Sequence, residues 1–457
     1  VHENGSPLIA HGSGKNILVA DCLGWDAPSE SAAVIAVPDA TTIAKNGFVS
    51  QVSKATIDGI HETLVYAQAD VSHGVGLSEL APARLPTEAV PVASETADGF
   101  VLQSSKVRVV LDRNGCITSM ICFDQDSDQH VEMIPEGQKA NNLMIYDDIP
   151  LFWDAWDTEV YAFEKPLDYE RIADTMILET GPLRGSIRFE FKVGRVSKIS
   201  QIISLDVNSA RLDFKTNVSW KENRKLLRAE FPVDVRSPKA CYDTQFGYIE
   251  RPTHWNTSWD VAKFEVCGHQ YADLSMHGKG VALLNDCKYG YSIRDNVMRI
   301  SLLRAPKSPD LDADMGEHQF TYSLFPHLTS FPDANVVREA MKLNTPQAFA
   351  FSSVQESALK DLIALKSSKS RVPCSAILSA VRLSDDRRHL MVRVYEALGG
   401  SSSCVLKLSN LLPMVECRES DLLDNPTGQQ YALMDNSIKF VIQPFEVRSF
   451  AITIADM

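Results

Sequence analysis

The sequence of 457 residues contains no apolar run of the roughly 18 residues that a membrane-spanning helix needs. It has no cluster of Lys and Arg, and its formal net charge is −14. Without a basic face, neither nucleic acid nor an anionic membrane is an expected partner. The nine cysteines (Cys22, Cys116, Cys122, Cys241, Cys267, Cys287, Cys374, Cys404 and Cys417) include no Cys-x-x-Cys pair. That spacing argues against a zinc ribbon and against a disulfide scaffold. Single cysteines scattered through apolar stretches read instead as buried thiols in a reducing compartment. No histidine is followed two positions on by Asp, and no H-E-x-x-H, G-x-S-x-G or G-x-G-x-x-G occurs. A sequence-local metal pair, a nucleophile elbow and a dinucleotide loop are therefore not expected. His269 and His277 near Asp273 are the nearest approach to a metal set, and they read better as ordinary core or surface residues. The chain opens at Val1 without Met and without a basic-then-apolar leader, so the expectation is that residues precede it. With no leader in view, the sequons at Asn4, Asn217 and Asn256 are read as chance.

What the sequence has is alternation. Ile187, Phe189, Phe191 and Val193 alternate with Arg188, Glu190 and Lys192. Leu212, Phe214, Val218 and Trp220 keep the same period, as do Val107, Val109 and Leu111. Leu390, Val392 and Val394, then Ile438, Phe440 and Ile442, repeat it near the carboxy terminus. A period of two over short runs broken by Gly, Pro, Asn and Asp predicts antiparallel strands with one buried face. Asn114-Gly115 between two such runs predicts a hairpin. Only residues 337–343 and 358–365 read as short helices. The fold class is all-β, most simply stacked sandwiches. A Pro- and Ala-rich stretch at 80–98 reads as a linker, and a second break falls in 345–372, where Ser367 to Ser370 look loop-like. This gives three units, 1–95, 96–345 and 346–457. The middle one is too long for a simple immunoglobulin-type sandwich of about 100 residues.

Three segments stand out chemically. Residues 147–157 carry Asp147, Asp148, Asp154 and Asp157 together with Trp153 and Trp156. Aromatic rings stack on the apolar faces of sugars while carboxylates accept from hydroxyls, so this pattern suits a carbohydrate contact. A turn with Trp filling the core explains it equally well. Residues 251–260, Arg251-Pro252-Thr253-His254-Trp255-Asn256-Thr257-Ser258-Trp259-Asp260, are polar, aromatic and turn-rich, the character of a functional loop or of a long ordered crossover. Leu283-Leu284-Asn285-Asp286-Cys287-Lys288-Tyr289-Gly290 and Ser301-Leu302-Leu303-Arg304-Ala305-Pro306 follow. Arg304 stands at a strand end, where an arginine pairs with a rim carboxylate or grips a substrate oxygen. Tyr248, Arg251, His254 and Asn256 also supply the residue types of a polysaccharide lyase site, a reading that fold analogy alone supports weakly.

Taken together, residues 142–157, 251–260, 280–290, 301–307, 320–327, 393–397 and 444–450 closely resemble glycoside hydrolase family 38 α-mannosidases, nearest the cytosolic and vacuolar branch. The resemblance runs from about Ile17 to the carboxy terminus. It weakens at Ala20-Asp21-Cys22-Leu23-Gly24-Trp25, which departs from the family's pattern. It implies a small β-sandwich, a large galactose-mutarotase-like supersandwich and a carboxy-terminal β-sandwich. It also implies that the nucleophile, the acid/base and the divalent metal (zinc or cobalt) belong to a catalytic domain upstream of this region. This chain is then expected to hold no catalytic residue and no metal of its own. By the same resemblance, Trp153, Asp154, Trp156, Asp157, Asn256, Asp260 and Arg304 are the candidate substrate contacts: Arg304 donating to hydroxyls, the aspartates accepting, the tryptophans stacking. The implied partners are the catalytic domain and a mannose-containing oligosaccharide, with homo-oligomers left open. The implied location is the cytoplasm or, alternatively, the vacuole.

Overall fold

The computed structural model describes residues 92–455 apart from 125–128, 168, 172–174, 346–347, 353–361 and 369–373. Before residue 92 it describes 9–10, 16–21, 33–37, 49–53, 63–69 and 74–85.

The alternating runs become strands, and their inward positions build one core. In Arg184–Val193, the residues Ile187, Phe189, Phe191 and Val193 are buried while Lys192 faces out. This strand pairs antiparallel with Ser197–Asp206, which pairs with Leu212–Trp220, and that in turn with Gly316–His327. Lys279–Asn285, Tyr271–Met276, Lys239–Thr244 and Gly247–Pro252 extend the same ten-stranded sheet. Two smaller sheets pack on it. One has five strands and includes Val107–Asp112 and Ile117–Phe123, joined through Asn114 and Gly115 as a hairpin, with Gly115 at φ 79°. The other has six strands, in the order Pro166–Leu167, Asn142–Asp147, Lys225–Pro232, Val297–Arg304, Gly290–Arg294 and Val266–Cys267. Phe100 of the five-stranded sheet meets Phe189 edge-on at 5.9 Å, and Phe231 of the six-stranded sheet meets Phe214 at 5.9 Å. The middle unit is thus a large two-layer sandwich around one apolar cluster.

That core contains a closed polar knot. Thr216 occupies an inward position of the Leu212–Trp220 strand where the pattern would place an apolar residue. Gln201 Nε2 donates to Thr216 Oγ1 at 3.0 Å and to the Tyr322 hydroxyl at 2.7 Å. Asn141 Nδ2 donates to Gln201 Oε1 at 2.8 Å and to the Gly115 carbonyl at 3.1 Å. The Tyr322 hydroxyl donates to Asn141 Oδ1 at 2.8 Å. The ring of partners is complete, which is the condition under which buried amides are tolerated. It also fixes Asn141, which precedes the Asn142–Asp147 strand that leads into the acid-and-Trp segment.

The first and last units share a sheet. Gly74–Pro82 pairs with Asn16–Asp21, with Thr63–Ala69 and, through Val75 and Gly74, with Ile363–Ser367. Ala348–Ser352 pairs with Ile9–Ala10 and Asn16–Asp21. Residues 80–82, expected in a linker, are therefore strand, because the ladder to Thr63–Ala69 satisfies their backbone groups. Ala93–Glu95 is strand as well, and residues 86–91 lie outside the described residues. Gln51 ties the first unit to the large sandwich. Its Oε1 accepts from the Leu183 and Arg184 amides at 2.8 and 3.1 Å, and its Nε2 donates to the Arg184 carbonyl at 3.0 Å.

Ser402–Leu408 and Ser437–Ile442 continue this sheet, and a five-stranded sheet from Ala376–Leu383 to Val447–Ile454 closes the carboxy-terminal sandwich over its own core. The helix expected at 337–343 forms as Val336–Asn344. The one expected at 358–365 does not: Ile363–Ser367 is a strand, and 358–361 lie outside the described residues. Ile363, Ala364 and Leu365 are buried in succession between two neighbours, and a short apolar run of that kind carries no period to distinguish strand from helix.

Gln201→Leu would leave the Asn141 amide and the Tyr322 hydroxyl each short of a partner inside the core. The expected cost is about 3 kcal/mol. It would be read as a lower urea midpoint at unchanged slope.

Candidate functional site

The Asn142–Asp147, Lys225–Pro232 and Val297–Arg304 strands lie side by side, with Asp147, Lys225 and Arg304 at the same end. Lys225 Nζ reaches Asp147 Oδ1 at 2.6 Å across that end. Beyond it the ladder continues: the Asp148 amide donates to the Arg224 carbonyl at 2.9 Å, and the Arg224 amide to the Ala305 carbonyl at 2.8 Å. The segments 148–157 and 304–314 thus emerge together.

Arg304 organises both. Its Nε donates to Asp148 Oδ2 and its Nη2 to Asp148 Oδ1 at 3.4 Å, a two-point contact with a carboxylate only 1% exposed. Its Nη1 donates to the Ala155 carbonyl at 3.2 Å. Its Nη2 also reaches the Asp154 carbonyl at 2.9 Å and the Asp157 carbonyl. The backbone amide of Arg304 donates to Asp314 Oδ2 at 2.8 Å. Burial pushes the Asp148 carboxyl above its ordinary range, against the pull of the Arg304 N–H groups and charge. Asp154 is held the other way. The Lys307 amide donates to its Oδ2 at 2.6 Å and, with Arg224 at 3.5 Å from its Oδ1, keeps the carboxyl below its ordinary range.

With its carbonyls drawn in to the guanidinium, the loop turns its side chains out. The Trp156 and Asp157 amides both donate to the Trp153 carbonyl, at 2.8 and 2.9 Å, and Trp153 takes the left-handed conformation at φ 55°. Phe152, Trp153 and Trp156 are 74%, 70% and 69% exposed, with Ile149 and Leu151 exposed beside them. The two indoles meet edge to face at 6.5 Å. The Asp157 carboxylate is exposed next to them.

Residues that follow the two segments, 160–164 and 264–265, meet on the six-stranded sheet. Val160–Glu164, a short 3-10 turn, lays Phe163 on Tyr146 of the six-stranded sheet at 5.3 Å and under the Arg228 guanidinium at 4.4 Å. Phe264 packs on Phe163 at 5.9 Å, and Glu265 pairs with the buried Arg228 at 3.0 Å while accepting from the Ser301 hydroxyl. Burial draws the Arg228 guanidinium below its ordinary value, with Glu265 opposing. The earlier part of the second segment lies elsewhere. The Asp295 amide donates to the Thr253 carbonyl at 2.7 Å, and Arg294 stacks on Trp255 at 3.8 Å. Arg294 pairs with Val297, at the opposite end of the strand from Arg304, ~23 Å away for an extended chain.

The expected contacts therefore divide. Trp153, Asp154, Trp156, Asp157 and Arg304 come together; Asn256 and Asp260 belong to the other end. Among the five, Arg304 and Asp154 point their polar atoms at the protein, so they hold the loop, while Trp153, Trp156 and Asp157 face solvent. Asp260 is engaged in a helix cap: its Oδ2 accepts from the Thr257 amide at 3.1 Å, and its own amide donates to Thr257 Oγ1 at 3.2 Å. Asn256 is exposed, and Trp259 beyond it is 79% exposed. The cleft between Arg251, Trp255, Asp260 and Lys263 is about the size of one water molecule, so it admits no sugar ring. The lyase-type set is dispersed. Tyr248 packs on Phe331 and Phe445, whereas Arg251, three positions along the same strand and so on its other face, stacks on Tyr242. Asp273 meets neither His269 nor His277 but the buried His327, at 2.8 Å.

Asp148, Arg224, Lys307 and Asp314 were not among the expected contacts. Asp148 lay inside the flagged run. Lys307 ended the run at 301–307, whereas Arg224 and Asp314 had no signal, since their part depends on three strand ends meeting. Phe152 and Leu151 were passed over because exposure of an apolar residue is not written in its neighbours.

Two family models match the chain: the glycosyl hydrolases family 38 C-terminal domain over residues 102–312, and the glycosyl hydrolases family 38 C-terminal beta sandwich domain over residues 375–450. The chain belongs to glycosyl hydrolase family 38. The first match contains the Arg304 clamp and both loops. Among curated relatives, alpha-mannosidase 2C1 of Homo sapiens is 42% identical over 372 residues, 81% of this chain and 35% of that protein. Alpha-mannosidase G of Dictyostelium discoideum is 39% identical, over 78% of this chain and 33% of that protein. Alpha-mannosidase of Saccharomyces cerevisiae is 35% identical, over 77% and 35%. The chain spans about a third of the length of these relatives. An α-mannosidase structure from Enterococcus faecalis superposes with a TM-score of 0.64 at 13% identity, over 95% of this chain and 56% of that one, a likeness of fold.

Arg304→Met would strand the buried Asp148 without its cation, at a cost of about 3–5 kcal/mol by chemical unfolding. Arg304→Lys keeps the charge but loses the fork that gathers the carbonyls of 154, 155 and 157. In that variant the Trp156 and Asp157 amides are expected to exchange at least tenfold faster with deuterium while the strand amides stay protected.

Proposed function

We propose that this chain is the carboxy-terminal β portion of a retaining α-mannosidase that hydrolyses terminal α-mannosyl residues of free oligosaccharides or glycans. In this reading the chain packs on a separate catalytic domain and shapes the rim of its active site. The relatives named above, themselves α-mannosidases about three times as long as the matched region, support the reading. The observation that carries it is the clamped loop. Ile149, Leu151, Phe152, Trp153 and Trp156 stand exposed within eight residues on a loop that Arg304 holds rigid. Soluble surfaces rarely leave such side chains together without an occupant. A loop already fixed loses little entropy on docking.

The chemistry divides accordingly. Ile149, Leu151 and Phe152 give an apolar footing for the catalytic domain. Trp153 and Trp156 offer ring faces to a pyranose, and Asp157 accepts from its hydroxyls. The nucleophile, the acid/base and the zinc or cobalt ion belong, in this reading, to the catalytic domain. Among the described residues no three His, Cys, Asp or Glu side chains converge to hold a metal. A cytoplasmic location, with the vacuole as alternative, fits buried cysteines such as Cys116, Cys122 and Cys417 that remain free thiols.

Aryl α-mannoside hydrolysis by the purified chain, with zinc or cobalt added, tests the placement of the chemistry. No turnover is expected; metal-dependent turnover would put the catalytic groups inside these residues and overturn the proposal. Leu151→Ser combined with Phe152→Ser is expected to weaken binding to a separately expressed catalytic portion at least thirtyfold, about 2 kcal/mol. The exposed tryptophan pair also fits a stand-alone carbohydrate-binding module. Quenching of its fluorescence by mannose without any partner, with no effect of the double change on association, would favour that reading.

A further inference from the structure

Two thiols far from the Arg304 clamp come unusually close. Cys374 and Cys404, 30 positions apart, place their sulfurs 3.3 Å from each other, and both are buried, 1% and 0% exposed. That separation lies inside an ordinary sulfur contact yet well outside the ~2.05 Å of a disulfide. Cys404 sits on Ser402–Leu408, held between Ile363–Ser367 and Ser437–Ile442. Cys374 lies two residues ahead of Ala376–Leu383, the edge strand of the opposing five-stranded sheet. The next pair of residues fixes the approach: the Ser375 hydroxyl is 2.8 Å from the Ser402 hydroxyl, and the Ser375 amide donates to Ser402 Oγ at 3.3 Å. The two sulfurs therefore face each other across the two layers of the carboxy-terminal sandwich.

We propose that Cys374 and Cys404 form a reversible disulfide when the protein meets a thiol oxidant, pinning the two sheets of the carboxy-terminal unit together. Closing the gap takes ~1.3 Å of sulfur movement to reach bonding distance, within the reach of small side-chain rotations. With oxidised glutathione as oxidant, one cysteine thiolate attacks the glutathione disulfide and expels one glutathione thiolate. The second cysteine thiolate then attacks the mixed disulfide and expels the other. One protein S–S bond forms, one glutathione S–S bond breaks, and the two cysteine protons end on the two glutathiones. Burial of both sulfurs restricts access of the oxidant and slows the first attack. Cys374 precedes an edge strand while Cys404 lies inside a sheet between two neighbours, so the first attack is assigned to Cys374 and resolution of the mixed disulfide to Cys404. The bond would close a loop through Ala376, Val392 and Val394, all buried in that unit's core, and so restrain its unfolded chain.

The test uses the full chain in its folded state, incubated with oxidised glutathione, then denatured, alkylated and digested without reductant. The expected product is a peptide joining Cys374 to Cys404, two hydrogens lighter than its parts, with two of the nine cysteines protected from alkylation. Oxidised protein should also unfold in urea at least tenfold more slowly than reduced protein, and dithiothreitol should reverse this. Cys404→Ala and Cys404→Ser should each abolish the oxidant's effect, and Cys374 should then stop at the glutathione adduct. Two separately alkylated cysteines in the folded protein, or a bond that forms only in denaturant, would overturn the proposal and leave the contact as a thiol hydrogen bond. The peptide map of the unaltered protein decides the matter even where a variant fails to fold.

Discussion

A carboxylate and a guanidinium taken out of water at one end of a sheet set the shape of the surface on which this protein's function is proposed to rest. Removing two such charges from solvent costs several kcal/mol each, and mutual attraction repays that only when the remaining donors also find acceptors. Arg304 meets the condition by turning to the carbonyls of Asp154, Ala155 and Asp157 after both oxygens of Asp148 are taken. The consequence is mechanical. A short loop whose carbonyls converge on one point has its side chains diverging from it, and Phe152, Trp153 and Trp156 stand out for that reason. The same interaction that satisfies a buried aspartate therefore presents the aromatic ridge.

The outer face of the six-stranded sheet links this end of the molecule to the other. Arg228, buried and drawn below its ordinary pKa, is sandwiched between the Phe163 ring and the Glu265 carboxylate. Phe163 follows the clamped segment and Phe264 follows the second one, and their rings pack together at 5.9 Å beside this charged pair. The polar stretch around Asn256 remains outside that contact, fixed by the Thr253 carbonyl and by Arg294 over Trp255. Its proximity to the ridge in composition does not make it a neighbour in space.

The three units are joined by more than chain connectivity. Val336–Asn344 packs into a cluster that includes Tyr271 and Phe331 of the large sandwich and Ile377 and Ala397 of the carboxy-terminal unit. Phe445 closes the same seam: it lies against Tyr248 at 5.5 Å and so near Gly247 and Gly399 that a Cβ at either would overlap its ring. Glu396, fully buried there, accepts from the backbone amides of Leu398, Gly399 and Phe445 at 3.0, 2.8 and 3.0 Å. These contacts make the carboxy-terminal unit a support for the large sandwich.

The sequence by itself determined the strands, because burial of one face imposes a period of two that Ile187 to Val193 and Leu212 to Trp220 display without ambiguity. It determined the family as well, through long runs such as 147–157 and 251–260. It also marked most of the residues around the clamp, since acids and tryptophans crowd there. Only the tertiary structure decided what those residues do. Whether Arg304 points at solvent or at Asp148, 156 positions earlier, depends on which strand ends adjoin, and no local pattern encodes that. The same holds for Thr216, whose inward place makes sense only beside Gln201 and Tyr322, and for Ile363–Ser367, whose apolar run has no period until two neighbouring strands are supplied. It holds too for the division of the expected contacts, with Trp153, Trp156 and Asp157 free and Arg304, Asp154 and Asp260 engaged. Residue type fixes what a side chain can bond to; only the packing of distant strands fixes which of those bonds it makes.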